Sequence, residues 1–176
     1  IINRRITSVC DAVDSYTEYE KYMGLAEIDT LRFIVSNTTE AGIVFDDTDR
    51  FELDPPKTFP GKLTKFLYHR YKTFQGNLSM GLVMLPVELI DDNGIMLHKC
   101  VLQLIDLWGL GDDFKNWVEE ACIFTSTLVD RIITGYPKAT EEAEWENLGY
   151  IDRCLVTGEP FALWVIESAK DISKEL

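Results

Sequence analysis

The chain lacks several features that would place it quickly. No apolar run approaches the roughly 20 residues a helix needs to span a bilayer, and no basic-then-apolar leader stands at the start. A membrane partner is therefore not expected. Basic residues are also scarce. With 17 Lys and Arg against 30 Asp and Glu, the formal net charge is -13, which repels phosphate backbones and excludes nucleic acid as a natural partner. The four cysteines (Cys10, Cys100, Cys122 and Cys154) form no C-x-x-C pair, and neither His69 nor His98 stands at ligand spacing from them. That pattern excludes a structural metal site and fits a reduced, cytoplasmic protein. There is no Ser/His/Asp or Cys/His arrangement, and no G-x-G-x-x-G loop follows any strand-like run.

What remains is an ordinary globular composition. Apolar residues make up 46% of 176 positions and charged residues 27%, enough for one compact domain with a sizeable core. Because the first residue is Ile1 and not Met, an excised piece of a longer protein is expected.

Short β runs alternate with longer helical patterns, which predicts an α/β fold with a mostly parallel sheet and crossover helices. Arg5 to Cys10 reads as a strand, followed by a Ser15 cap and a helix over Tyr16 to Leu25. Arg32 to Ser36 is a continuous apolar run, as expected of a strand buried on both faces. Residues 46 to 60 are rich in Asp and Pro and read as a surface loop. Leu63, Phe66, Leu67, Tyr71 and Phe74 then mark a helix by their spacing of three and four. Gly81 to Leu85 is a second core strand. Leu97, Val101, Leu104, Ile105 and Trp108 form one helical stripe, and Phe114, Trp117, Val118, Ala121 and Cys122 another. Phe161 to Ile166 is a third strand. The acidic cluster Glu141, Glu142, Glu144 and Glu146 reads as a solvated helix face or loop.

In open α/β sheets, ligands bind beyond the carboxyl ends of the strands. Two such ends carry polar clusters: Asn37, Thr38, Thr39 and Glu40, then Glu88, Asp91, Asp92 and Asn93. If the strands are parallel neighbours, both clusters open onto one crevice, where Thr and Asn suit ribose and amide groups and carboxylates suit sugar hydroxyls. The same residues also dominate turns and caps, and Asn93-Gly94 is a strong turn signal. Asp130 and Arg131 interrupt an apolar stretch, so they are expected either to pair with a counter-charge or to face a polar cavity. Sequence pattern alone leaves a structural salt bridge and a substrate-facing pair equally open.

Four segments carry a resemblance. Ser126 to Ile132, with V-D-R-I at 129–132, is similar to the signature of the mannitol dehydrogenase family of polyol and uronate oxidoreductases. Glu159 to Glu167 resembles that family's E-P-F-x-x-W-V-I-E stretch. Arg32 to Ile43 and Pro86 to Gly94 look like the tagaturonate-reducing branch, and the resemblance runs essentially from end to end. It implies the later part of an incomplete Rossmann-like nucleotide-binding domain over residues 1–176. The glycine-rich loop would lie before Ile1, and the catalytic Lys, with a C-terminal helical domain, would lie beyond Leu176. The missing remainder of its own chain is therefore an expected partner, and no catalytic residue is expected here. The implied reaction is hydride transfer between NAD and a small-molecule sugar acid, tagaturonate and altronate being interconverted. Mannitol or fructuronate dehydrogenation, and a non-catalytic Rossmann-like binding module, are the alternatives. Carried over by position, Asn37 to Glu40 would border the nicotinamide and its ribose, while Asp130 and Arg131 would shape the substrate side. Mannitol-type members have D-N where this chain has Glu88-Leu89, so an oxyanion-stabilising Asn is unmatched there and Asn93 is the candidate substitute. Glu88 is a candidate for substrate hydroxyls. Lys62 is either a surface lysine or a partner for the uronate carboxylate.

Overall fold

A computed structural model describes residues 6–175. Strands β1 (Phe33–Ser36), β2 (Val83–Pro86) and β3 (Ile123–Phe124) form a parallel sheet in the order β1-β2-β3. Helix α1 (Tyr19–Gly24) precedes β1. Helix α2 (Phe59–Thr73) joins β1 to β2, and α3 (Asn93–Leu107) and α4 (Asp112–Ala121) join β2 to β3. The fold is thus the α/β type with crossover helices that the alternating pattern predicts.

One face of the sheet carries most of the core. Leu63, Phe66 and Leu67 of α2, Leu97, Val101 and Ile105 of α3, and Phe114, Trp117 and Val118 of α4 pack on Leu82 and Met84. These are the helical stripes legible in the sequence, buried because side chains three and four apart share a face. The opposite face is thinner, with Val83 and Leu85 covered by Ile172 and Ile166. Helix α2 starts where Thr58 accepts a hydrogen bond from the Gly61 amide at 3.0 Å, an N-cap followed by Pro60 in the first turn.

Two buried charges organise the connections. Asp49, in the loop over residues 46–60, accepts from the amides of Arg50, Lys57 and Thr58 and from the Thr58 hydroxyl at 2.7 to 3.0 Å. Arg70 of α2 donates to the carbonyls of Met80, Ala26, Ile28 and Leu31 at 2.6 to 3.1 Å, tying the segment before β1 to the helix after it. Burial lowers the Arg70 pKa from its ordinary value.

After β3 the chain leaves the sheet as β4 (Ser126–Asp130), followed by β5 (Ile133–Gly135), α5 (Glu141–Leu148), β6 (Thr157–Gly158) and β7 (Leu163–Glu167). The ribbons β4-β7 and β5-β6 are antiparallel. The acidic cluster falls on α5, where Glu141, Glu142 and Glu144 sit favourably at the positive end of the helix dipole.

Several sequence expectations are corrected. Residues 6–10 form no strand, since nothing pairs with them among the described residues and a β-branched run is not self-sufficient; Arg5 lies outside the described residues. The first helix begins at Tyr19, not beside Ser15, because Asp14 draws the Tyr16 amide (2.9 Å) and the Thr17 hydroxyl (3.0 Å) into a preceding turn. β1 is not buried on both faces: it is an edge strand among the described residues, and Val35 is 54% exposed. Asn93-Gly94 is no turn but the start of α3. Gly94 is required there by close approach, since a Cβ would lie 2.0 Å from the Thr125 carbonyl oxygen.

Candidate functional site

The register of β1 and β2 pairs Ser36 with Pro86, so both strands end side by side. Val87 N–H donates to the Ser36 carbonyl at 2.9 Å, carrying the pairing one residue further. The two polar clusters therefore do converge, as parallel neighbours must. Asn37, Thr38, Thr39 and Glu40 are all exposed at this end. At the same strand ends opens a cleft of about 570 Å³ lined by Val35, Val87 and Leu89 and by Val129, Asp130, Arg131 and Trp164 from the ribbon. Its walls are apolar, and its charge comes from Asp130 and Arg131. That combination suits a planar ring with a polar, anionic neighbour.

Glu88 and Asn93 occupy different places from those expected. Glu88 is 3% exposed and turns toward β1, with its carboxylate accepting from Ser36 Oγ, the Thr38 amide and Thr38 Oγ1. Asn93 is fully buried. Its Oδ1 accepts from the Thr127 amide at 2.9 Å, and its Nδ2 lies 2.9 to 3.1 Å from the carbonyls of Pro86, Glu88 and Thr127. Both side chains are expected from sequence to face the substrate, but each is buried and satisfied internally, as buried polar groups must be. Asn93 sews the end of β2 to β4, fixing the floor of the cleft.

Asp130 and Arg131 are exposed, and so are Leu128 (57%), Ile132 and Ile133, while Val129 is half-buried. The premise that the pair lies in a buried run is therefore wrong, and no burial cost forces them together. Arg131 Nε donates to the Glu159 carbonyl at 3.1 Å, and the Ile132 amide donates to Glu159 Oε1 at 2.7 Å. Asp130 pairs in register with Leu163 of β7. The V-D-R-I and E-P-F-x-x-W-V-I-E segments are thus two strands of one ribbon, and Glu159 caps the end that presents Arg131. Lys62 is not among the residues lining the cleft: its Nζ sits 2.8 Å from Tyr16 Oη, and it lines a second apolar groove with Tyr22, Leu25 and Phe66 that meets the cleft at Val35.

Sequence reasoning missed Ser36, Thr127, Glu159 and the apolar wall of Val35, Val87, Leu89 and Trp164. The alternation of Ser36 and Thr38 across a strand end was the available signal for the first, since such positions share a face. Neither histidine enters the site. His69 meets Glu27 at 2.8 Å, and His98 stacks on Phe124 at 4.6 Å, where burial lowers its pKa. The thiol of Cys122 is pushed up to about 11 by burial, which leaves it unreactive. No cluster of metal-ligating side chains occurs among the described residues, and none of the described helices is long and apolar enough to cross a membrane.

Parallel strands joined by crossover helices, with a cleft at their carboxyl ends, define a Rossmann-type domain. The family model for the mannitol dehydrogenase Rossmann domain matches residues 2–176. The chain belongs to that family. It is 48% identical to altronate oxidoreductases of Phocaeicola vulgatus and Bacillus subtilis, over 171 residues in each case. Those alignments take in 97% of this chain and 36% of each relative, so the chain spans little more than a third of their length. Among solved structures it is similar to a Pseudomonas fluorescens mannitol 2-dehydrogenase in ternary complex with NAD and D-mannitol. The TM-score is 0.70 at 18% identity, covering 92% of this chain and 34% of that one. A substrate-free D-sorbitol dehydrogenase gives a TM-score of 0.66 at 19% identity, covering 86% and 33%. Both likenesses concern the fold alone.

Proposed function

We propose that this chain is the nicotinamide-facing part of a longer, NAD-dependent enzyme interconverting tagaturonate and altronate. The observation that carries the proposal is that β1 and β2 end side by side, with Asn37–Glu40 exposed after one end and the cleft that holds Asp130 and Arg131 bounded by Val35, Val87 and Leu89 of the same two ends. Its 48% identity to altronate oxidoreductases supports the choice of a uronate over a simple polyol.

The residues present suit one end of the dinucleotide. Val35, Val87, Leu89 and Trp164 offer apolar surface to a ring; in the Asn37–Glu40 loop the exposed Asn37 and Thr39 offer amide and hydroxyl groups to a ribose, while Thr38 donates to Glu88. No glycine-rich phosphate loop occurs in this chain, so the pyrophosphate falls to other residues of the longer polypeptide. When bound, the nicotinamide supplies or accepts the hydride.

The side chains of this domain bind and orient. Arg131, exposed at the cleft and aligned through Glu159, matches the uronate carboxylate by charge and by its planar donor fork. Asp130 accepts from sugar hydroxyls. Leu89 and Trp164 restrict water at the reacting carbon. The proton-transferring group lies outside these residues, in the rest of the longer chain. A reducing cytoplasm suits the free thiols of Cys10, Cys100, Cys122 and Cys154.

The test is NADH oxidation by the longer polypeptide with tagaturonate, fructuronate and fructose offered in parallel. Turnover of tagaturonate in preference to the others is expected. Turnover of fructuronate or fructose instead moves the assignment to another branch of the family. Absence of turnover with every sugar, despite tight ligand binding, supports a non-catalytic binding module.

A further inference from the structure

We infer that Glu88 is a positioning residue that sets the conformation of the Asn37–Glu40 loop and does not itself touch the sugar. The inference rests on the reading of that loop as the contact for nicotinamide and ribose.

Glu88 follows β2 by two residues, and its side chain crosses to the end of the neighbouring strand. Oε2 accepts from Ser36 Oγ at 3.0 Å. Oε1 accepts from the Thr38 backbone amide at 3.0 Å and from Thr38 Oγ1 at 2.8 Å. All three donors are neutral. A carboxylate this buried is costly unless hydrogen bonds replace its water, and here the replacements come from the base of the loop. The main chain of Glu88 is fixed in turn, because its carbonyl accepts from Asn93 Nδ2 at 2.9 Å and from the Ile90 amide at 2.8 Å. A continuous set of bonds therefore runs from the start of α3, through Asn93 and Glu88, to Thr38.

The other side of Thr38 is closed by Gly42. A Cβ at that position would lie 1.9 Å from Thr38 Oγ1, so the loop folds back more tightly than any residue but glycine permits. The Gly42 amide closes the turn by donating to the Thr39 carbonyl at 2.8 Å. Thr38 is held between Glu88 and Gly42, while Asn37, Thr39 and Glu40 remain exposed and available to a ligand. Removing the carboxylate would release the ligand-contacting loop without deleting any ligand contact. Affinity then falls by the fraction of molecules that keep the competent loop conformation, roughly tenfold if about one in ten does.

The experiment uses the longer polypeptide, with NADH fluorescence titration and steady-state kinetics. Glu88→Ala is expected to weaken NADH binding about tenfold while leaving kcat at saturating nucleotide within about threefold. Glu88→Gln is expected to recover most of the affinity, because one amide oxygen still accepts both Thr38 donors. Ser36→Ala removes a bond that does not reach the loop, and is expected to lower Tm without changing NADH affinity. Should Glu88→Ala fail to fold, Thr38→Val, which removes one of the two loop bonds and keeps the shape, is expected to give a smaller loss of affinity. Unchanged NADH affinity in every folded variant of Glu88 and Thr38, with only Tm lowered, overturns the inference. So does a raised sugar KM with unchanged NADH affinity. If the unsubstituted protein binds no nicotinamide nucleotide, the functional reading falls, and hydrogen exchange at the Thr38 amide decides the clamp separately. Faster exchange in Glu88→Ala upholds it, and unchanged exchange refutes it.

Discussion

Replacing Asn93 by alanine should destabilise this domain far more than an average polar substitution. The side chain is fully buried. Its oxygen satisfies the Thr127 amide, and its two N–H groups serve the carbonyls of Pro86, Glu88 and Thr127 at 2.9 to 3.1 Å. Alanine leaves the Thr127 amide and the Thr127 carbonyl without these partners, while the Pro86 carbonyl keeps Thr127 Oγ1 and the Glu88 carbonyl keeps the Ile90 amide. Each such group costs about 1–3 kcal/mol, and a water entering the vacated space offsets part of that. A loss of about 2–4 kcal/mol in unfolding free energy follows. Asn93→Asp is the sharper variant, because it keeps the bond to the Thr127 amide but turns an oxygen toward three carbonyl oxygens. It should cost at least as much as alanine, despite the closer shape. Denaturant unfolding followed by intrinsic fluorescence measures both. A loss below about 1 kcal/mol for either variant would refute the view that this amide ties β2 to β4.

Three further outcomes follow from the same structure. Arg70→Met should lower stability by about 3 kcal/mol or more, read as a shift of the thermal transition, since the carbonyls of Met80, Ala26 and Leu31 lose the guanidinium and that of Ile28 keeps only the Leu31 amide. Burial pushes the Asp49 carboxyl up, but hydrogen bonds from Thr58, Lys57 and Arg50 outweigh it and hold it below the ordinary value of 3.8. A depressed folded-state pKa contributes stability that is complete above the unfolded value and is lost as pH falls through the folded one. Asp49→Asn should therefore flatten the acid limb of the stability profile below about pH 4, while costing about 2 kcal/mol at neutral pH. Arg131→Ala should raise KM for a uronate about tenfold or more and leave NADH affinity within about twofold, measured by initial rates and titration.

The layered part of the fold was readable because burial imposes a period. The stripes of α2, α3 and α4 recur at three and four residues, and β1 and β2 stand out as short apolar runs. From that alternation, parallel pairing and a crevice beyond Ser36 and Pro86 could be anticipated. What the pattern could not show was which polar side chains turn inward. Arg70 sits in a basic stretch with Lys65, His69 and Lys72 and has the local appearance of a surface residue, yet it is fully buried by carbonyls 39 to 44 residues earlier in the chain as well as by Met80. Asp49 lies in a loop whose composition indicates solvent, yet it is the centre of that loop. Asn93-Gly94 has the composition of a turn, yet it begins a helix, and the approach of Thr125 explains why a glycine stands there. Glu88 was legible as important by its position at a strand end, but its direction was not, because the donors that hold it come from 50 and 52 residues away. The third apolar run, Phe161 to Ile166, did become a strand. It pairs antiparallel with β4 and leaves Leu163, Trp164 and Val165 exposed, since one-sided packing leaves a ribbon's outer surface open.

The most direct test of the central claim is hydrogen exchange by mass spectrometry on the longer polypeptide, with and without NADH and tagaturonate. Protection should appear in Val87–Leu89 and Val129–Arg131, which line the cleft, and in Asn37–Glu40, which follows β1 at the same end of the sheet. Protection confined to the groove formed by Tyr22, Leu25 and Phe66, with those three segments unchanged, would contradict the account.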